Sequence, residues 1–292
     1  MTLSVPQIFA VFFNCDYKQL EVRVAAWLSE DPKLIAACKG DIHTVVNNRV
    51  FRFQIADLKQ CADIKTVQEV TRKHIILAGA YDYYRNNPTK FPTVEDLIKF
   101  CIKYLRDECK KITFGVMYGR EAFSLSQVLK CSERDAQKYI DLFFEEYSLL
   151  FNYLEGRKKL VLDQGWLETP FGRRRRFPYM TNEAEKRVLK QTINFEIQSA
   201  ANDICLQSYI NLSPAIREHG YGSVKFPVHD AIAGSLKIET VRPALELIRY
   251  HMEETFRPVD VDVKFEIDQS IGPSYGVQKD VEMYLKEIGY AA

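Results

Sequence analysis

Two aspartates carry the first signal of chemistry in this sequence. Asp16 follows an apolar run, Val11-Phe12-Phe13, and Asp230 closes a second apolar approach at His229-Asp230. Two strand ends that each deliver one carboxylate can hold two magnesium ions. One ion would lower the pKa of an attacking hydroxyl and the other would steady a leaving oxygen. Magnesium suits so sparse a ligand set because it binds through one or two carboxylates together with substrate phosphates. Taken alone, either aspartate reads as the end of an ordinary strand, and the neighbouring motifs decide between the two readings.

Between the aspartates lies the stripe Arg106, Lys110, Phe114, Tyr118, spaced by four throughout. On a helix this spacing makes one slowly drifting face with two cations followed by two aromatic rings. Such a face can neutralise a triphosphate at one end and stack on a base or sugar at the other. Further on, Thr169-Pro170-Phe171-Gly172 leads into four arginines, Arg173 to Arg176, which could neutralise DNA phosphates irrespective of sequence. Asn194 and Gln198 sit one helical turn apart, and their amides could donate to minor-groove acceptors common to all paired bases.

The elements that must position these groups are mixed. Residues 8–15 read as a buried strand and Leu20 to Leu28 as a helix. Asp31-Pro32 breaks that helix and opens another, and Asp41 leads a helix through Phe51. Ala56 to Gly79 looks largely helical, with loops at Asn86-Asn87-Pro88 and Phe91-Pro92. Thr93 can cap a helix with acids in its first turn, Arg106 to Tyr118 is helical by spacing, and Ser132 caps a helix running toward Leu162. Leu167 to Pro178 reads as a hairpin or loop centred on Phe171-Gly172, and Glu183 to Leu212 as a long helix. Ser223 to Ile238 reads as two strands about His229-Asp230, Val241 to Phe256 as a helix, and the region near Val261–Phe265 as a final strand. The class is α+β.

Composition bounds the setting. The 292 residues carry a net charge of +1, with 47% hydrophobic and 27% charged residues, ordinary for a globular protein. No apolar run approaches the roughly 20 residues of a membrane span. Seven cysteines without framework spacing imply reduced thiols and a cytoplasmic setting. Neither cysteines nor histidines cluster as zinc ligands.

Several of these segments resemble the motifs of family A (DNA polymerase I-like) DNA polymerases. Asp16-Tyr17-Lys18-Gln19-Leu20-Glu21-Val22-Arg23 resembles motif A, DYSQIELR. Arg106 to Gly119 matches all six fixed positions of motif B, RxxxKxxxFGxxYG. Val228-His229-Asp230-Ala231 resembles motif C, QVHDE, with Pro227 and Ala231 departing from it. Thr169 to Arg176 is similar to a T-x-x-G-R-R-R loop. Asn194 to Asp203 is similar to N-x3-QGTAAD, with Lys190 where the family has arginine.

The resemblance implies a polymerase right hand: a palm of antiparallel sheet with helices (residues 1–30 and 195–292) and helical fingers (31–194), with an extra segment at about 52–98. It implies two Mg2+ ions held by Asp16, Asp230 and the backbone carbonyl of Tyr17, and Lys110 as a proton donor to pyrophosphate. Gln19, Glu21, His43, Arg106, Lys110, Phe114 and Tyr118 would bind the dNTP, with Glu21 and Tyr118 gating the ribose 2′-position. Arg173, Arg174, Lys190, Asn194, Gln198 and His229 would contact primer-template DNA. The likeness runs from about residue 11 onward, and the thumb and first palm strands are absent from it. A second polypeptide carrying the thumb and remaining palm, with or without an exonuclease domain, is therefore expected, as in a split, viral polymerase; the alternative is that the chain is a fragment of a longer, truncated polymerase. Asn14-Cys15 also has the residue types of an intein junction, but the run reads better as a strand. The alternative function is a catalytically inactive DNA- or partner-binding remnant; retention of Asp16, Asp230, Lys110 and Tyr118 argues against it.

Overall fold

The computed structural model describes residues 10–50, 53, 55–74, 76–177, 182–256, 258 and 260–290. The chain forms two compact units. One comprises Met1–Leu28, Trp166–Arg176 and Phe195–Ala292, and the other Ser29–Gly165 and Phe177–Asn194. In chain order the elements are β1 (Ala10–Tyr17), α1 (Leu20–Ser29), α2 (Pro32–Ala37), α3 (Ile42–Val50), α4 (Ile55–Lys59), α5 (Ile64–Lys73) and α6 (Ala78–Asn86). There follow α7 (Val94–Met117), α8 (Ala122–Leu129), α9 (Glu133–Glu146), α10 (Ser148–Gln164), β2 (Trp166–Glu168), β3 (Arg174–Arg176) and α11 (Asn182–Glu218). The last are β4 (Gly222–Val228), β5 (Ala231–Lys237), α12 (Val241–Glu254), β6 (Ile267–Ser274), β7 (Val277–Asp280) and α13 (Val281–Glu287).

The first unit is built on a five-stranded antiparallel sheet in the order β4-β5-β1-β6-β7. Along β1 the side chains alternate: Val11, Phe13, Cys15 and Tyr17 are buried, whereas Phe12 and Asp16 are exposed. That two-residue period sends one face into the core and keeps Asp16 on the other. The buried face is covered in part by α12, whose Val241, Ala244, Leu245, Ile248 and Met252 form a helical stripe packed on β5 and β6. Tyr17 is tied down at its tip: its hydroxyl donates to the Met252 carbonyl (2.6 Å) and shares a hydrogen bond with Ser208 Oγ (2.8 Å). Burial raises its pKa, so the phenol stays neutral.

The second unit is helical. Its axis is α7, where Leu97, Cys101, Leu105, Cys109, Ile112 and Val116 recur at helical spacing and are buried. Thr93 Oγ1 accepts from the Asp96 amide (3.1 Å), and Glu95 and Asp96 occupy the first turn, as the helix dipole favours. The helix ends at a glycine. Gly119 has φ 68 and the Arg120 amide reaches back to the Gly115 carbonyl (2.8 Å), a left-handed termination that disfavours a side chain. Asp31 joins two helices in this unit. Its Oδ1 accepts from the amides of Lys33 and Leu34 at the start of α2, and its Oδ2 from those of Leu149 and Leu150 at the start of α10, all at 3.0–3.2 Å.

Some sequence expectations are corrected. The helix capped by Ser132 does not run to Leu162; it stops at Glu146, Tyr147 lies outside helical geometry, and α10 begins at Ser148. No strand forms at Val261–Phe265. The final strands are β6 and β7, where alternation resumes at Ile267. The long helix passes Leu212 and contains Pro214, reaching Glu218. Thr93 and Tyr118 bound one helix rather than two, and α8 and α13 were not anticipated. Ala56 to Gly79 is not one helix but falls on α4, α5 and the start of α6. Within residues 52–98 lie α4, α5 and α6, each packed on α7. The expected strand start at residues 8 and 9, the helix end at Phe51 and the hairpin end at Pro178 lie outside the described residues. Six of the seven cysteines are buried and Cys131 is partly exposed. Among the described residues no helix is long and apolar enough to cross a membrane.

Candidate active site

The expected site residues fall into two groups, one in each unit, with α11 carrying residues of both. In the first unit, register brings the two aspartates together. Asp16 lies opposite Ala231 in the β1–β5 pairing, and the Tyr17 amide donates to the Asp230 carbonyl (3.1 Å). The β4–β5 turn consists of His229 and Asp230, between the paired Val228 and Ala231. His229 has φ 56 and Gln19, just after β1, has φ 52. Left-handed backbone at a non-glycine residue is uncommon, and here it occurs directly before Asp230 and three residues after Asp16.

Glu21 belongs to the same cluster. Its pKa is raised, first by burial and then by the Asp230 charge, while a hydrogen bond from the Gln198 amide and the nearby His229 oppose the rise. Glu21, Gln198, His229 and Asp230 are thus neighbours. The Cys205 thiol is also pushed up, first by burial and then by both Asp230 and Asp16, which places these carboxylates around one point. Such concentrated negative charge fits a divalent cation. The two carboxylates leave coordination positions for phosphate and water, as magnesium prefers. Among the described residues no group of three or more His, Cys, Asp or Glu is placed to hold a metal, so a closed structural cage is not the donor set on offer. Asp268, which the sequence reading did not single out, lies directly opposite Asp16 on β6 and pairs with Lys18 at 3.0 Å. Only the alternation Ile267-Asp268-Gln269-Ser270-Ile271 could have shown it.

Arg23 explains the end of motif A. It is 4% exposed, and its guanidinium donates to the carbonyls of Lys18 and Lys264 and to Glu266 (2.9 Å). It fastens α1 to the segment entering β6.

In the second unit, Arg106, Lys110, Phe114 and Tyr118 follow one face of α7 to its C-cap. The Phe114 and Tyr118 rings stack at 6.0 Å and 21°, and the Lys110 ammonium lies 5.9 Å from the Phe114 ring. His43 packs against Phe114 at 5.8 Å. Burial lowers its pKa to about 4, with Arg106 and Lys110 adding to the fall and Asp41 and Asp107 opposing it. The imidazole is neutral near pH 7, and its Nδ1 is buried without a hydrogen-bond partner. Arg106 is engaged by Asp41, its Nε and Nη2 donating to Oδ2 and Oδ1 at 3.1 and 3.2 Å. The sequence placed Asp41 at a helix start but gave no sign of this pair.

The expected DNA contacts are partly occupied within the chain. Arg173 pairs with Asp203, and Arg174 pairs with Glu168 and lies over the Trp166 ring at 4.0 Å. Arg175 lies 5.6 Å from the Phe195 ring. Lys190 pairs with Glu121 at 3.0 Å, and the buried Oδ1 of Asn194 has no hydrogen-bond partner. Lys190, Asn194 and Gln198 recur every four residues on α11 and so follow one face.

The sequence model of DNA polymerase family A matches residues 93–277. The chain belongs to this family. DNA polymerase I of Lactococcus lactis subsp. cremoris (strain MG1363) is 28% identical over 277 residues, covering 93% of this chain and 26% of the relative. DNA polymerase I of Chloroflexus aurantiacus is 27% identical over 277 residues, covering 93% of this chain and 25% of the relative. The chain therefore spans about a quarter of the length of the curated relatives it matches. In fold it is similar to the POL domain of Pol1 from M. smegmatis, solved with a DNA primer-template and dNTP. The TM-score is 0.71 at 24% identity, over 92% of this chain and 41% of that one.

Proposed function

We propose that this chain is the catalytic portion of a template-directed DNA polymerase, adding dNTPs to a primer 3′-hydroxyl. The first unit acts as palm and the second as fingers. The observation that carries the reading is the register that sets Asp16 opposite Ala231, next to Asp230, in a cluster where Glu21 already feels the charge of Asp230. Asp16 and Asp230, with the Tyr17 carbonyl, would hold two Mg2+ ions, which when bound acidify the attacking hydroxyl and stabilise the leaving oxygen. Arg106 and Lys110 bind the triphosphate, Lys110 gives a proton to the departing pyrophosphate, and His43 offers a neutral ring. Gln19, Glu21, Phe114 and Tyr118 position the sugar and base. Arg173, Arg174, Lys190, Asn194, Gln198 and His229 bind the primer-template, which requires Arg173, Arg174 and Lys190 to exchange their carboxylate partners for phosphates. A thumb and further palm elements, which lie outside this stretch of sequence, complete the grip on DNA.

The test is primer extension by the purified chain, alone and with candidate partner polypeptides, using Asp230→Asn as control. Extension that survives this substitution rejects the two-metal assignment. Glu21→Ala should increase rNTP incorporation if Glu21 gates the sugar, and an unchanged dNTP/rNTP ratio removes that role.

A further inference from the structure

The contact between Asp41 and Arg106 bears on how the nucleotide enters. Asp41 precedes α3, and its carbonyl accepts from the Val45 amide (3.1 Å). Its carboxylate accepts from Thr44 Oγ1 (2.7 Å) and takes both ends of the Arg106 fork. This is the two-point geometry with which arginine also binds phosphate. A single guanidinium edge cannot give that geometry to a carboxylate and a phosphate at once. Near the pair His43 also feels the charges of the exposed Lys110 and of Asp107, and its own buried Nδ1 has no hydrogen-bond partner, so Asp41 is the carboxylate that engages the Arg106 fork in a cradle of mixed charge.

We propose that Asp41 is an internal competitor for the triphosphate: it holds the Arg106 guanidinium until a polyphosphate displaces it, and so sets the nucleotide affinity of the site. The inference rests on the reading of Arg106 and Lys110 as triphosphate ligands. Burial pushes the Asp41 carboxyl upward, but the bonds from Thr44 and Arg106 outweigh it and hold the group below the usual carboxylate range, so it stays a charged competitor at neutral pH. Arg106 and Asp41 retain 46% and 33% side-chain exposure. An ion pair so exposed has the strength of about 1 kcal/mol at most, which corresponds to about fivefold in affinity.

Calorimetric titration of the purified chain with inorganic tripolyphosphate, without DNA or turnover, tests this. Asp41→Asn keeps a strong helix-capping residue and should bind tripolyphosphate about fivefold more tightly than wild type. In an Arg106→Ala background the same substitution should change binding less than twofold. In primer extension, Asp41→Asn should lower the KM for dNTP by a similar factor. If Asp41 instead positions Arg106, binding weakens and KM rises, and the proposal falls. It falls equally if the wild-type chain binds no tripolyphosphate at millimolar concentration. Asp41→Ser, another good cap, must give the same direction should the asparagine variant fold poorly. Loss of extension with the titration pattern intact would overturn the polymerase reading alone. Extension with unaltered tripolyphosphate affinity in Asp41→Asn would overturn the Asp41 proposal alone.

Discussion

His43 gives a prediction that needs no nucleotide. The ring is 1% exposed and its pKa falls from an ordinary 6.5 to about 4. Burial is the main cause. Of the charges facing it, Arg106 and Lys110 on α7 depress the pKa further, while Asp107 on the same helix and Asp41 before α3 oppose the fall. The folded form thus binds fewer protons than the unfolded form between the two values, so stability rises with pH across that window. Each pKa unit is worth about 1.4 kcal/mol, so the difference of about 2.5 units corresponds to about 3 kcal/mol, fully present above pH 6.5 and lost as pH falls toward 4. Urea unfolding of wild type and His43→Gln at a series of pH values isolates this contribution, because the other titrating groups largely cancel in the difference. The wild-type stability relative to the variant should fall by about 2–3 kcal/mol from pH 7 to pH 4. In NMR the His43 imidazole should remain neutral down to about pH 4. A flat stability difference, or a ring that titrates near 6.5, refutes the reasoning. The same logic requires that polyphosphate affinity show no His43 transition near pH 6.5.

Three other perturbations have defined outcomes. Asp31→Ala removes the acceptors of four amides at the starts of α2 and α10; unfolding should show a loss of about 2–4 kcal/mol, and a loss below about 0.5 kcal/mol would mean that water replaces the carboxylate. Glu21→Gln should stabilise the chain at pH 7, because a raised folded pKa means that ionisation weakens the fold; the advantage should fade as pH falls below the ordinary value of 4.5, and an advantage that grew toward acid would contradict the direction of the shift. His229→Gly relieves a side chain at φ 56, so thermal melting should change little or rise, with a gain of at most about 1 kcal/mol, while primer extension falls; a large destabilisation would show that the imidazole is a structural anchor.

The α+β class and the turn at His229-Asp230 were legible because alternation, caps and motif spacing agree there. Asp16 follows three inward side chains, Val11, Phe13 and Cys15, separated by outward ones, and Thr93 and Ser132 announce α7 and α9 by local hydrogen-bonding chemistry. The misses have non-local causes. Tyr147 interrupts a continuous amphipathic pattern, and the second helix draws its amide partners from Asp31, more than a hundred residues earlier in the chain. The long helix expected to end at Leu212 continues through Pro214 to Glu218. In the candidate site, residue types marked Asp16, Arg106 and Lys110, whereas their partners did not announce themselves. Asp41 for Arg106, Asp203 for Arg173 and Asp268 across from Asp16 are set by register and helix packing, which no local spacing encodes.

The distribution of thiols has a practical corollary. With six cysteines buried, Cys131, between α8 and α9 in the second unit, is the natural attachment point for a fluorophore or spin label. Burial and the nearby Asp135 raise its pKa, with Glu108 adding a smaller push, so the thiolate is scarce at neutral pH and coupling should accelerate in alkali. The native sequence thereby supplies its own optical handle on the helical unit, and any change there on titration with tripolyphosphate can be followed without first engineering a cysteine-free background.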